Sequence, residues 1–320
     1  MNRRSATLLL TIFAALTAGV VLAADALPPR TEWGDPDLRG IWSNATVTPL
    51  ERPAELGDKT HHTEEEAAAL RGTGLQTILE AVGGTSEGEL TGELNEVWLE
   101  APVEVVDSRR TSQVVDPADG QIPFTEEGRQ RQRRDMFRRF TGSTAESHED
   151  LHMGDRCLLF LSVYFANPFY LNNHQIFQTP DHVAILSEYG PMTRIIPLDD
   201  TLPLDESIPL WNGSSRGRWE GETLVVETAN YDGRTFFQGA TEDVRVIERF
   251  RRVDEDTIDY TMTATDPASF TQPWTIENNL RATEGPLYEF ACHEGNYGLV
   301  NVLSGARASE KSTLEEAAPR

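Results

Sequence analysis

The chain has 320 residues, with 28 basic side chains against 52 acidic ones and a formal net charge of −24. So acidic a surface repels phosphate backbones and anionic lipid, which sets aside nucleic acid and membrane surfaces as partners. Two cysteines in the whole chain exclude a disulfide-dense scaffold and leave at most one internal bond.

The opening MNRR is basic, ATLLLTIFAALTAGVVL is apolar, and VLA supplies small residues before Ala24. That pattern predicts a signal peptide over residues 1–23 and a periplasmic or secreted mature protein, free of the membrane after cleavage. An uncleaved anchor is the alternative, against which stands the absence of a basic stop-transfer flank. No later stretch is long and apolar enough to span a bilayer. In an oxidising compartment Cys157 and Cys292 are expected to pair. The long loop they close gives roughly 5 kcal/mol at most on the chain-entropy account. Two buried free thiols are the other option; a zinc site lacks a second closely spaced Cys or His.

Residues 24–156 read as an extended arm with helical decoration. In LPPRTEWGDPDLRGIWSNATVTPLERP the prolines keep the chain extended, with Trp33, Ile41 and Trp42 as anchors on the body. HTEEEAAALRG opens a helix, with Thr63 and Glu66 at capping-box spacing. Residues 83–95, GGTSEGELTGELN, form an acidic loop. RRTSQVVDPADGQIPFT is a short strand followed by turn residues. TEEGRQRQRRDMFRRF is a helix capped by Thr125, with acids early and bases late. Its arginine run reads as a solvated face, with an anion site as the alternative.

Residues 157–308 read as a β-barrel ending in a helix. From His174 the rhythm is period two: HQIFQT, HVAILSEY, TRIIPLD, GRWEGETLVVETAN, VRVIERFRRV, TIDYTMTAT and PWTIENNLRAT. Tight polar turns, TPD, EGE and DEDT, separate several of them, as in an antiparallel meander. Seven or eight such strands predict a mainly β fold: an up-and-down barrel, lipocalin-like or related, with a sandwich as the alternative. A barrel of about eight strands can hold one small ligand. Trp219 falls in a hairpin where an aromatic can cover one barrel end. Residues 309–320 read as a disordered tail.

PDLRGIWSN, RTSQVVDPADGQIP, RIIPLD, SRGRWEGETLVVETAN and YEFACHEGNYGLVNVLSGAR together resemble a group of uncharacterised secreted bacterial proteins. The resemblance covers most of the mature chain. It implies one integrated unit and carries no mechanism.

Alternation decides which polar residues face inward. Glu248 shares a strand face with Val244, Val246 and Phe250, opposite Arg245, Arg249 and Arg251. A carboxyl on an apolar face either has a raised pKa, which suits acid–base chemistry, or meets an inward arginine such as Arg194 or Arg216. Tyr260 and Asn278 interrupt the neighbouring apolar faces. Asn172, Asn173 and His174 open a strand. If the last barrel strand ends near Cys292, His293 and Tyr297 lie one turn apart on the following helix, beside the disulfide. They read equally as a site and as a structural joint.

The constellation predicts a lyase, hydratase or isomerase without metal or organic cofactor, acting on a small, partly apolar molecule. Glu248, His174, His293 and Tyr297 are the catalytic candidates; Asn172, Asn173, Arg194, Tyr260 and Asn278 are the candidates for holding substrate. A periplasmic carrier for a small hydrophobic ligand needs the same cavity and none of the proton chemistry.

Overall fold

The computed structural model describes residues 28–71, 73, 104–141, 145–151, 156–158, 172–190, 193–199, 204–205, 207–234 and 237–317. The expected signal peptide and the acidic loop at 83–95 lie outside these residues.

The alternating segments form the strands expected of them. They are β3 (Asn173–Gln178), β4 (His182–Ser187), β5 (Thr193–Pro197), β6 (Ser214–Glu220), β7 (Thr223–Ala229), β8 (Arg245–Arg252), β9 (Thr257–Thr265) and β10 (Trp274–Ala282). Two short strands precede them, β1 (Gly40–Ser43) and β2 (Val114–Asp116). All ladders are antiparallel, in the order β5-β4-β3-β1-β10-β9-β8-β7-β6. The sheet curls into a nearly closed barrel of nine strands, with β2 pairing part of β10 beside β1.

One element differs in role from its sequence reading. The GIWS segment, expected as part of an arm, is the strand that joins the two meanders. It pairs with β3 on one side (Trp42 opposite His174) and with β10 on the other (Trp42 opposite Ala282). Its four residues are too few to show alternation, and both partners are far away in sequence. Trp42 is 1 % exposed and its indole N–H donates to the Leu38 carbonyl at 2.9 Å.

Barrel closure stops at β5 and β6, which approach without a ladder. Gly217 permits that approach, since a Cβ there would stand 2.6 Å from Leu198 and 2.9 Å from Ile196. The β6–β7 hairpin turns on Gly221 at φ 61°, the left-handed geometry that two-residue hairpin loops require. Inside, Trp42, Ile176, Ile185, Leu224, Val226, Val246, Phe250, Tyr260, Met262, Trp274 and Ile276 form one core, against which half-buried Trp219 packs. Outside, the arginines of β8 meet carboxylates: Arg249 with Glu220, Arg251 with Asp259 and Arg245 with Glu227.

Among the described residues there are three α-helices. Helix α1 (Glu64–Leu70) carries the expected capping box between Thr63 and Glu66. Helix α2 (Glu126–Thr141) begins where the Thr125 hydroxyl accepts from Gly128 N–H at 3.0 Å. Its arginines do not all face solvent. Arg131 donates to the carbonyls of Gly239 and Ala268, at 2.9 and 2.8 Å, and docks the helix on two loops. Helix α3 (Gly298–Ala317) continues past residue 308, so the expected tail is helical through 317. Its Ala, Glu, Lys and Leu content favours that outcome. No helix among the described residues is long and apolar enough to cross a membrane.

Candidate functional site

Strand β8 places Glu248 inside the barrel at 0 % exposure, between Val226 of β7 and Met262 of β9. Arg194 reaches it from β5. Arg194 Nη1 lies 2.5 Å from Glu248 Oε2 and Nη2 lies 3.2 Å from Oε1, while the Tyr260 hydroxyl donates to Oε1 at 3.0 Å. Of the two arginines offered by the sequence, Arg194 is therefore the partner; Arg216 stands 3.9 Å from Asp199. Burial pushes the Glu248 carboxyl up, and the charge and hydrogen bonds of Arg194 with the Tyr260 hydroxyl pull it only part of the way back. Burial also opposes the Arg194 charge, but the attraction of Glu248 outweighs it and keeps the guanidinium protonated. Both carboxylate oxygens are thus engaged by protein donors.

His174 heads a second buried cluster. Its Nε2 lies 3.2 Å from Asn44 Oδ1 and its Nδ1 lies 3.0 Å from Ser187 Oγ. An amide oxygen accepts, so Nε2 carries the ring proton and Nδ1 accepts from the serine. Burial, reinforced by the Arg194 charge, lowers the His174 pKa to about 3, so the ring is neutral near pH 7. Asn278 Nδ2 donates to the Asn44 carbonyl at 3.0 Å, and Asn278 Oδ1 accepts from Asn279 N–H at 2.8 Å. Asn173 Nδ2 donates to Glu188 at 3.0 Å, and the other Glu188 oxygen accepts from Tyr288 N–H at 2.7 Å. That buried carboxylate holds the chain leaving β10 against the barrel rim. Asn172, 1 % exposed, has no hydrogen-bond partner among the described residues for either side-chain polar atom.

His293 and Tyr297 do not join these groups. Strand β10 ends at Ala282, not near Cys292, and helix α3 begins only at Gly298. Gly295 at φ 67° breaks the turn, and Asn296 Oδ1 accepts from Gly298 N–H at 3.0 Å to start the helix. His293 therefore sits exposed in a turn and Tyr297 is 74 % exposed just before the helix. The expected His–Tyr pair on one helical face does not form. The disulfide does: Cys157 and Cys292 are bonded with Cα atoms 5.6 Å apart. Among the described residues no group of three or more His, Cys, Asp or Glu side chains is placed to hold a metal ion.

The barrel has a feature that the sequence reading passed over. Along the unpaired edges of β5 and β6 lies a cleft of about 610 Å³, bordered by Cys157 of the disulfide. Ile195, Leu204, Leu210 and Trp211 give it apolar walls, and Arg194, Asn212, Ser215 and Arg216 add polar groups. Ile195, Leu204 and Leu210 are 61 %, 41 % and 40 % exposed, which is unusual for large aliphatic side chains grouped in one place. The clue lay in LPLDESIPLWNG, an apolar-rich connection between two strands that needs no apolar residues for its own turns. A second cleft of about 860 Å³ adjoins it at Leu204 and Ser214 and carries Asp232, Arg234, Glu242, Asp243 and Arg245. Arg234 stacks on Trp211 with its guanidinium 4.7 Å from the ring centre, so that indole stands at the boundary of the two clefts. No protein-family model, curated protein or solved structure matches the chain.

Proposed function

We propose that the protein is a periplasmic or secreted binding protein for a small, partly apolar molecule, held without metal or organic cofactor in the cleft between β5 and β6. The observation that carries this reading is the cleft itself, an apolar-walled recess with a few polar groups in its lining where the barrel is left unpaired. Its volume falls in the range of small-molecule sites. The buried acid–base groups, by contrast, are spent on one another: Glu248 on Arg194 and Tyr260, His174 on Ser187 and Asn44. Secretion fits the leader-like start and the disulfide, and the net charge of −24 argues against nucleic acid and anionic membranes as partners.

A second reading keeps one supporting observation. Burial raises the Glu248 carboxyl inside the barrel, as a lyase, hydratase or isomerase would need for proton transfer. It requires Arg194 to swing off the carboxylate when substrate arrives. Native mass spectrometry of protein purified gently from its own host separates the readings. A binding protein carries a small molecule in unchanged form, and Leu210→Glu, which puts a charge into the apolar wall, removes it. Conversion of that molecule by the purified protein would favour the enzyme, and no bound molecule under any gentle condition would count against the carrier.

A further inference from the structure

The charges along the β5–β6 cleft are already met from within the protein. Among the described residues that line it, Arg194 and Arg216 alone are charged. Arg194 holds the Glu248 carboxylate with both terminal nitrogens. Arg216 stands 3.9 Å from Asp199 and has a further interaction within the protein. The Ser215 hydroxyl is spent on Thr228 at 2.8 Å. Counted with these partners the cleft is close to electrically neutral, on a chain whose formal net charge is −24. Its flanks are strand edges. Nine strands, each antiparallel to the next, leave β5 and β6 pointing the same way, and no ladder joins them. The N–H and C=O groups of strand edges are neutral donors and acceptors, and an uncharged polar group can use either.

We propose that the ligand is an uncharged amphiphile: an apolar body against Ile195, Leu204 and Leu210, with a neutral hydroxyl, carbonyl or amide head and no ionised group. The proposal rests on the binding-protein reading and adds the class of ligand to it. A carboxylate entering the cleft would give up its hydration without gaining a cation of its own, because Glu248 and Asp199 already hold the arginines. An ammonium would lose hydration in the same way, with no carboxylate among the described lining residues to receive it. A neutral head has far less hydration to lose, and the strand edges replace it. The acidic surface also leaves an uncharged molecule's approach unaffected, whereas it repels an anion.

Isothermal titration of the whole disulfide-bonded protein with decanol, decanoate and decyltrimethylammonium tests the proposal, at about pH 8 where a carboxylate is ionised. Decanol is expected to bind about tenfold or more tightly than either ion, since a desolvated charge without a partner costs more than its head-group contacts return. Its affinity should change less than about twofold with added salt, because no ion pair forms. Leu210→Glu should abolish decanol binding. Glu248→Gln uncovers the Arg194 charge and should raise decanoate affinity about tenfold, leaving decanol unchanged. Asp199→Asn should act in the same direction by less, and it serves where Glu248→Gln does not fold. Either ion binding as tightly as decanol, still sensitive to Leu210→Glu, would overturn the uncharged head and leave the binding reading standing. Decanol binding undiminished by Leu210→Glu would overturn its placement in the cleft. Decanoate affinity unchanged in the folded carboxylate variants would overturn charge compensation as the cause. Binding of none of the three would overturn the amphiphile proposal, and the co-purified molecule would then judge the binding reading separately.

Discussion

His174 makes the stability of the barrel depend on pH in a way that can be worked out and measured. Its pKa is about 3 in the folded protein against 6.5 when free. A lowered histidine pKa means the unfolded chain binds the proton more tightly, so stability is present above pH 6.5 and drains away as pH falls toward 3. Each unit is worth about 1.4 kcal/mol, so the full window is about 5 kcal/mol and the stretch from neutrality to about pH 5 is roughly 2 kcal/mol. Glu248 works with the opposite sign: its raised carboxyl favours the fold at low pH, and that contribution is lost as pH rises through its folded value. The raw curve therefore mixes both groups, and His174→Gln, which keeps a donor toward Asn44, removes one of them. Urea unfolding of both proteins near pH 7 and about pH 5 should show the stability gap between them narrowing by roughly 2 kcal/mol at the lower pH. A gap that stays constant would refute the assignment of a buried, neutral imidazole.

Three further outcomes follow from particular contacts. Arg194→Met should destabilise the fold by about 3–5 kcal/mol by stranding Glu248, and adding Glu248→Leu should restore much of it; equal and additive losses in denaturation would contradict a direct pair. Replacing both Cys157 and Cys292 by serine opens a loop of sequence separation 135. It should cost up to about 5 kcal/mol, read as a melting point that no longer responds to dithiothreitol. Gly217→Val should force β6 away from Ile196 and Leu198, lowering stability by about 1–3 kcal/mol and speeding amide exchange in β5; exchange unchanged in β5 would mean the two edges do not touch as described.

Strands β3 to β10 were legible because their core faces alternate with charged outer faces. In β8 the reading Val246, Glu248, Phe250 inward and Arg245, Arg249, Arg251 outward is the one that folds. The same alternation put Arg194 and Glu248 on inner faces, but only strand order decides which arginine meets the acid. That order depends on β1, four residues whose partners lie more than a hundred positions away. The His293–Tyr297 pair failed for a local reason that was visible: Gly295 and Asn296 are a helix start, so the helix begins after both side chains. The cleft could not be read from periodicity, because its walls come from two strand edges and the irregular segment between them.

The proposed binding function puts the ligand at the β5–β6 cleft, with the buried Glu248 supporting that cleft from behind. The most direct test is to count bound small molecule by native mass spectrometry in Glu248→Gln and in Leu210→Glu, both confirmed folded by circular dichroism. Glu248→Gln should keep its ligand while Leu210→Glu arrives empty. A Leu210→Glu protein that stays loaded, beside a folded Glu248→Gln protein that has lost its ligand, would move the site into the barrel interior and contradict it.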